Sequence, residues 1–414
     1  MAGEVPEMMN FQTKIQPPAG IFAQGETRFV WHPQARLFGP DGAEHASAGL
    51  ALAVIPAQPA ARAVQAAFAA AAAGVAFRIG GPAEPPLSGP VPMFETLTGG
   101  STGTPRRIRR TQASWIASFR INAEMFAISP GTAVAVLGAL SHSLALYAAI
   151  EALHLGADLH LLGGLRPDRQ MQALAARRVT VVYATPAQLS LLAEAGGVAC
   201  VRQIVVGGGA LAAGLRARLA EAVPAARIAT FYGAAETSFV AMSHTDQDAA
   251  GLPYPGVAID LRTIGPDGSG EVWVQSPYVA AGYGGPPGAA RWADGWVTAG
   301  EWGRWCHGAL LLVGREDRRV RIADQSVFPE EIEAFLGTLA GVVDVAVIAR
   351  ADLRRGQVLE AVLRGDPAKA AAILRAARTR FGPLAAPRAL HWRQDWPLLP
   401  SGKPDLARLC AEAS

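Results

Sequence analysis

The chain has 414 residues, half of them hydrophobic and 17% charged, enough for two or three domains with large cores and incompatible with a disordered chain. Thirty-seven basic against 34 acidic residues leave a formal charge of +3, too small a surplus for a nucleic-acid-binding protein. Three cysteines, Cys200, Cys306 and Cys410, are far apart and form no C-x-x-C pair, which argues against a disulfide framework or zinc site and fits a reducing cytoplasm.

Residues 1–7 are acidic and no apolar run follows them, so no secretory signal is expected. Residues 1–45 read as irregular, with prolines at 17, 18, 33 and 40. A strand at 50–55, an Ala-rich helix at 59–73 and a strand at 74–79 set a strand–helix–strand rhythm. The Pro- and Gly-rich segment 80–92 is a loop, and 93–97 is a strand. Helices are expected at 112–126, 144–155, 166–178, 186–195 and 213–223, and strands at 133–137, 157–162, 179–183, 201–206 and 227–230. Residues 64–77 and 133–162 are apolar, but the first is mostly alanine and the second is broken by His142, Glu151, His154, Asp158 and His160. Both therefore read as buried elements, and no membrane insertion is expected.

Beyond about residue 250 short alternating strands and a Pro-Asp-Gly turn favour an antiparallel subdomain. A strand at 310–314, a helix at 329–337, a strand at 342–350, a helix at 367–381 and a tail over 388–414 complete the chain. The fold class is α/β. It comprises a large N-terminal domain, 1–313, with mostly parallel sheets and a small antiparallel subdomain, and a small mobile C-terminal α+β domain, 314–414.

Residues 98–106, Thr-Gly-Gly-Ser-Thr-Gly-Thr-Pro-Arg, combine three glycines, four hydroxyls and a cation after a strand. Glycines let backbone N–H groups face a ligand, and hydroxyls and Arg106 add donors and charge, which suits a phosphate cradle. No lysine follows Gly103, so the stretch is not the G-x-x-x-x-G-K-[ST] loop, and taken alone it reads equally well as a surface loop. Arg107, Arg109 and Arg110 extend the positive cluster and are expected to serve the same anionic ligand.

Five further stretches follow in order: Tyr232-Gly-Ala-Ala-Glu236-Thr237; Gly270-Glu-Val-Trp running to Gly282-Tyr283; Asp294-Gly-Trp-Val-Thr298-Ala-Gly300-Glu301-Trp-Gly303; Gly314-Arg315-Glu-Asp317, leading on to Phe328-Pro329-Glu330-Glu331; and Leu399-Pro400-Ser401-Gly402-Lys403. Together with 98–106 they resemble the adenylate-forming superfamily of acyl- and aryl-CoA synthetases, peptide-synthetase adenylation domains and luciferases. The resemblance covers about three quarters of the chain; members usually carry more sequence before the Gly-rich stretch, so a short form with a reduced first subdomain is expected.

The resemblance implies roles. Thr98, Ser101, Thr102, Gly103 and Arg106 would hold the β- and γ-phosphates of ATP, and Glu236 would hold Mg²⁺ with Thr237 near the α-phosphate. Gly208, Gly209, Ala210, Tyr232 and Gly233 would cover the adenine, while Glu301 and Arg315 would take the ribose. Lys403 would reach the α-phosphate and the carboxylate, and Asp317 would be the interdomain hinge. His142 aligns with the aromatic or histidine gate beside the acyl pocket. That pocket would also use Leu144, Ala145, Val206, Gly207, Thr230, Phe231 and Phe239, and looks neutral and mostly apolar. No acidic residue stands between Gly138 and Ile150 to pair an amine, so an aryl or medium-chain acid is favoured over an amino acid.

Three positions depart from the family pattern: Arg106 for lysine, Glu301 for aspartate, and Asp324 for glycine in a loop that lines the thiol tunnel. The leading expectation is ATP-dependent formation of an acyl-adenylate and then of acyl-CoA, with CoA as co-substrate. The alternatives are transfer to a phosphopantetheinyl carrier protein and a non-catalytic nucleotide- or acyl-binding protein. Taken singly, Lys403 reads as a surface charge, Glu236 as a helix cap and His142 as a core histidine; the ensemble gives them function. The sequence says nothing of oligomeric state.

Overall fold

The computed structural model describes residues 26–98, 105–244, 251–399 and 404–412. Ser101, Thr102, Gly103 and Lys403 lie outside them.

Among the described residues the largest sheet has nine strands. Their order is Leu252–Pro253, Ser238–Ser243, Arg227–Ala234, Gln203–Val206, Val181–Ala184, Ala133–Val136, Asp158–Leu161, Leu37–Phe38 and Glu44–His45. From Arg227–Ala234 to Leu37–Phe38 every pairing is parallel, and the outer pairings are antiparallel. The central strands are buried along their whole length, which is why they read as short apolar runs with no alternation. Helix Ser143–His154 is buried from Ala145 to His154, as its all-round apolar sequence requires. Helix Pro186–Glu194 starts with a capping box in which the Thr185 hydroxyl accepts from the Gln188 N–H.

Chain order reverses beside Ala133–Val136. The next strand, Asp158–Leu161, lies on one side of it, and the following one, Val181–Ala184, lies on the other. Such a switch opens a crevice at the carboxyl ends of parallel strands.

A second sheet orders Gly282–Tyr283, Arg107–Thr111, Met93–Leu97, Phe77–Ile79 and Val54–Ile55. Arg107–Thr111 is a strand the sequence reading missed, and it corrects the expectation for the arginine cluster. Three of the four arginines serve the protein itself. Arg107 donates to Glu95 and Glu84, Arg109 donates to the Ser88 carbonyl, and Arg110 is buried and donates to the Tyr278 carbonyl and the Ser238 hydroxyl. Glu95 also accepts from fully buried Arg78 at 2.6 Å. Burial pushes the Glu95 carboxyl up, but hydrogen bonds from Arg107 and Arg78 outweigh it and hold the pKa below the usual value.

The antiparallel subdomain is a six-stranded sheet in which Gly270–Gln275 pairs with Ala258–Arg262, Trp296–Thr298 and Glu301–Cys306. The small C-terminal domain carries the hairpin Val320–Ile322 and Gln325–Val327, helices Pro329–Leu336 and Ala370–Ala385, and a three-stranded sheet. In that sheet Val342–Asp352 pairs antiparallel with Gly356–Gly365, which pairs parallel with Leu390–Trp392. Leu390–Trp392 and helix Leu406–Glu412 correct the expected tail; Leu409 is fully buried with Ala346, Ile348 and Val362. Among the described residues no helix is long and apolar enough to cross a membrane.

Candidate active site

The Gly-rich stretch joins two antiparallel strands, Met93–Leu97 and Arg107–Thr111. Its described ends are closed by two hydrogen bonds: Thr98 N–H donates to the Arg106 carbonyl at 3.0 Å, and Arg106 N–H donates to the Thr98 hydroxyl at 3.3 Å. The stretch thus connects two paired strands, and the next described element after it is a strand rather than a helix. Its root touches the crevice: Leu97 bridges His142, and the Ser143 hydroxyl donates to the Leu97 carbonyl at 3.3 Å. Burial lowers the His142 pKa, which keeps the imidazole neutral at pH 7.

Other expected residues leave neighbouring strand ends at the same edge. Residues 207–210 follow Gln203–Val206, and Gly208 has φ 85°, a left-handed value that favours glycine. Gly208 and Gly209 are exposed on one side and face Thr185 and Pro186 on the other. Tyr232 and Gly233 lie near the end of the next strand, Arg227–Ala234, at a register shift, where a Cβ on Gly233 would overlap the Ser238 carbonyl.

The Tyr232 phenol hydrogen-bonds Glu301, and burial, then the charge of Glu301, push its pKa well above the usual range. Arg315 donates to the same carboxylate at 3.1 Å and to Asp317 at 3.3 Å. Tyr232, Glu301 and Arg315 therefore form one cluster drawn from three strands and motifs far apart in sequence. Strands Glu301–Cys306 and Ala309–Arg315 pair Glu301 directly with Arg315, which explains the spacing.

Glu236 accepts from the Tyr283 hydroxyl at 3.0 Å, and its carbonyl accepts from the Ala280 N–H at 2.7 Å. Burial, then Glu236, push the Tyr283 phenol up to about 12, and Arg106 acts on it in the opposite sense. Arg110 and Arg315 both feel the Glu236 charge, and burial brings Arg110 down to about 9. Thr237 is buried, and its hydroxyl accepts from the Ala234 N–H at 3.0 Å, closing the turn that presents Glu236. Tyr283–Glu236 and Tyr232–Glu301–Arg315 are thus two hydrogen-bonded groups.

Sequence reasoning gave no role to Tyr283 or Glu271, and it expected Arg110 to serve the anionic ligand. Arg110 clamps Ser238, whose φ is 58°, just after the Glu236 turn. Glu271 accepts from the Trp273 indole at 2.9 Å and the Thr298 hydroxyl at 3.2 Å, fixing the turn before Glu301. Tyr283 and Glu271 both lie in the quoted motif 270–283, which was the available signal. Asp324 is exposed at the turn between Val320–Ile322 and Gln325–Val327.

The chain is thus a mixed α/β protein whose expected site residues leave neighbouring strand ends. Residues 42–284 match the AMP-binding enzyme family and residues 331–403 match its C-terminal domain, so the chain belongs to the AMP-binding enzymes. It is 32% identical over 289 residues to the uncharacterized acyl-CoA ligase YhfT of Bacillus subtilis, a match covering 66% of this chain and 59% of the relative. It superposes on ATP-bound MatB of Rhodopseudomonas palustris with a TM-score of 0.69 at 20% identity, over 87% of this chain and 79% of that one. The amide bond synthetase McbA of Marinactinospora thermotolerans gives 0.66 at 24% identity, over 77% and 68%. The chain spans about three fifths of the length of the curated relatives it matches first, at 59, 58 and 60%.

Proposed function

We propose that the chain is an AMP-forming acid–thiol ligase. A carboxylate oxygen attacks the α-phosphorus of ATP; the bond from that phosphorus to the bridging oxygen breaks, and pyrophosphate leaves. The CoA thiol then attacks the acyl carbon of the mixed anhydride, giving acyl-CoA and AMP, with the thiol proton passing to solvent. The observation that carries this reading is the convergence of Glu236, Tyr232, Glu301 and Arg315 on the crevice beside the Gly-rich hairpin, in a chain of this family.

The residues divide the work. Thr98, Ser101, Thr102, Gly103 and Arg106 grip the β- and γ-phosphates and screen the approach of the anionic acid. Gly208, Gly209, Ala210 and Gly233 leave room for the adenine, which Tyr232 flanks, and the Glu301–Arg315 pair takes the ribose hydroxyls. Glu301 is one methylene longer than the family's aspartate, and that length reaches both Tyr232 and Arg315. Thr237 closes the turn under the α-phosphate, His142 gates the acyl pocket, and Lys403 spreads the charge that develops during adenylation.

Glu236 fits Mg²⁺. It is one hard carboxylate, half-buried, with one oxygen engaged by Tyr283, and among the described residues no three potential ligands cluster into a cage. That donor set suits a cation whose remaining ligands are phosphates and water, and the cation would neutralise phosphate charge. The same reading divides the chain into 1–313 and a lid, 314–414, that carries Lys403 and turns at Asp317. The favoured substrates are aryl or medium-chain acids. A second reading sends the acyl group to a carrier-protein thiol; the carboxylate of Asp324 at an exposed turn favours it, because CoA brings anionic phosphates that the carrier's arm lacks.

Pyrophosphate release over a panel of acids, with and without CoA, checks the proposal. Release that requires an acid, together with acyl-CoA when CoA is present, is expected. Release with no acyl-CoA favours the carrier reading, and no release with any acid contradicts both.

A further inference from the structure

Helix Ser143–His154 begins beside the site and carries Glu151 two turns further in, where the proposed chemistry does not use it. Glu151 is fully buried. Its carboxylate accepts from the hydroxyls of Tyr183 and Tyr147, the latter at 2.9 Å, and from the Asn122 amide at 2.8 Å. Among the described residues no hydrogen bond or ion pair joins it to a cation. A carboxylate held in a core without a counter-charge is costly, so stability alone is a poor reason for it.

Its donors lead back to the crevice. The Tyr147 ring meets Phe239 edge-on at 5.2 Å. The Tyr254 ring stacks on Phe239 at 4.8 Å, and its hydroxyl donates to Asn122 Oδ1 at 2.7 Å. Phe239 is therefore flanked by two tyrosines whose hydroxyls are tied to Glu151, one directly and one through Asn122. Phe239 in turn packs on Phe231 at 4.6 Å. The Phe231 ring fills the space beside Gly207, where any Cβ would overlap it.

We propose that Glu151 is a positioning residue for the acyl pocket: by holding Tyr147 and, through Asn122, Tyr254, it clamps the Phe239–Phe231 pair as a fixed floor, so that the pocket admits short or planar acids and rejects long chains. The inference rests on the acyl pocket assigned above. The ionised carboxyl is suited to the task because both its oxygens then only accept, whereas an amide always puts a donor where one of these partners donates.

Full-length wild type, Glu151→Gln, Tyr147→Phe and Phe231→Ala are compared on benzoate, hexanoate and dodecanoate. Acid-dependent pyrophosphate release and calorimetric acid binding are measured side by side. Wild type is expected to prefer benzoate over dodecanoate by ~10-fold or more, the scale on which apolar pockets discriminate. Each variant should reduce that ratio by ~10-fold through the KM of the long acid, with the KM for ATP unchanged. Loss of activity in equal measure for all acids, an unchanged ratio, or a wild type that prefers dodecanoate overturns the proposal. If Glu151→Gln does not fold, Tyr147→Phe and Phe231→Ala decide it by the same ratio. Selective acid binding that the variants relax, without pyrophosphate release, supports the pocket floor and contradicts the ligase reading; no binding of any acid overturns the floor itself.

Discussion

Glu301 shows what a single methylene can do at the edge of a crevice. Its carboxylate serves Tyr232 and Arg315 at once, so Glu301→Ala should remove one of the two carboxylates that hold Arg315 and loosen the proposed ribose contact. Loss of charge-assisted hydrogen bonds of this kind is expected to raise the KM for ATP ~10-fold or more with little change in kcat, as steady-state kinetics would show. Glu151 makes a different prediction. Burial raises its pKa to about 7, against an ordinary value of 4.5. The folded chain then holds a proton that the unfolded chain releases first, so stability should fall as pH rises from about 4.5 to about 7 and then level off. Tyr147, Tyr183 and Tyr254 are pushed well above their usual range and stay neutral throughout that window. Urea unfolding across that range should show the slope in wild type and a flatter curve in Glu151→Gln; parallel curves would contradict it.

At the scale of elements, the hairpin that carries the Gly-rich stretch stands on a buried ion network. Glu95 is shared by Arg78 and Arg107, and a Cβ at Gly284 in the adjoining segment would overlap its carboxylate. Glu95→Gln leaves the buried Arg78 guanidinium without its counter-charge and Arg107 with the exposed Glu84, and should destabilise the chain by about 3–5 kcal/mol in urea unfolding. This network was not legible in the sequence. A strand of three arginines, Arg107–Thr111, looks like a ligand-binding cluster because the carboxylate that neutralises it sits 12 residues away on the paired strand. The parallel strands and helices between residues 133 and 234 were legible, since burial on both faces writes itself as short apolar runs. The Tyr232–Glu301–Arg315 cluster was legible only through the ordered motifs, because its members meet across sheets that no local pattern connects. Strand Leu390–Trp392 escaped notice because three residues carry too little periodicity, and its place is set by pairing with Gly356–Gly365.

At the scale of the whole molecule, the two domains meet at a small seam. Trp302, Val313 and Phe328 form one apolar contact, and Arg304 donates to Glu331 at 2.7 Å. The short turn Glu316–Arg318 between them has no buried residue, so brief trypsin treatment should cut first at 315–319 and release two fragments. First cleavage elsewhere would contradict the proposed boundary. The central claim, that a carboxylate is adenylated, is tested most directly by exchange of labelled pyrophosphate into ATP. Acid-dependent exchange is predicted for wild type, with a loss of about 100-fold or more in Lys403→Ala, while that variant still forms thioester from supplied acyl-adenylate. Exchange that needs no acid, or no exchange with any acid, would contradict the account.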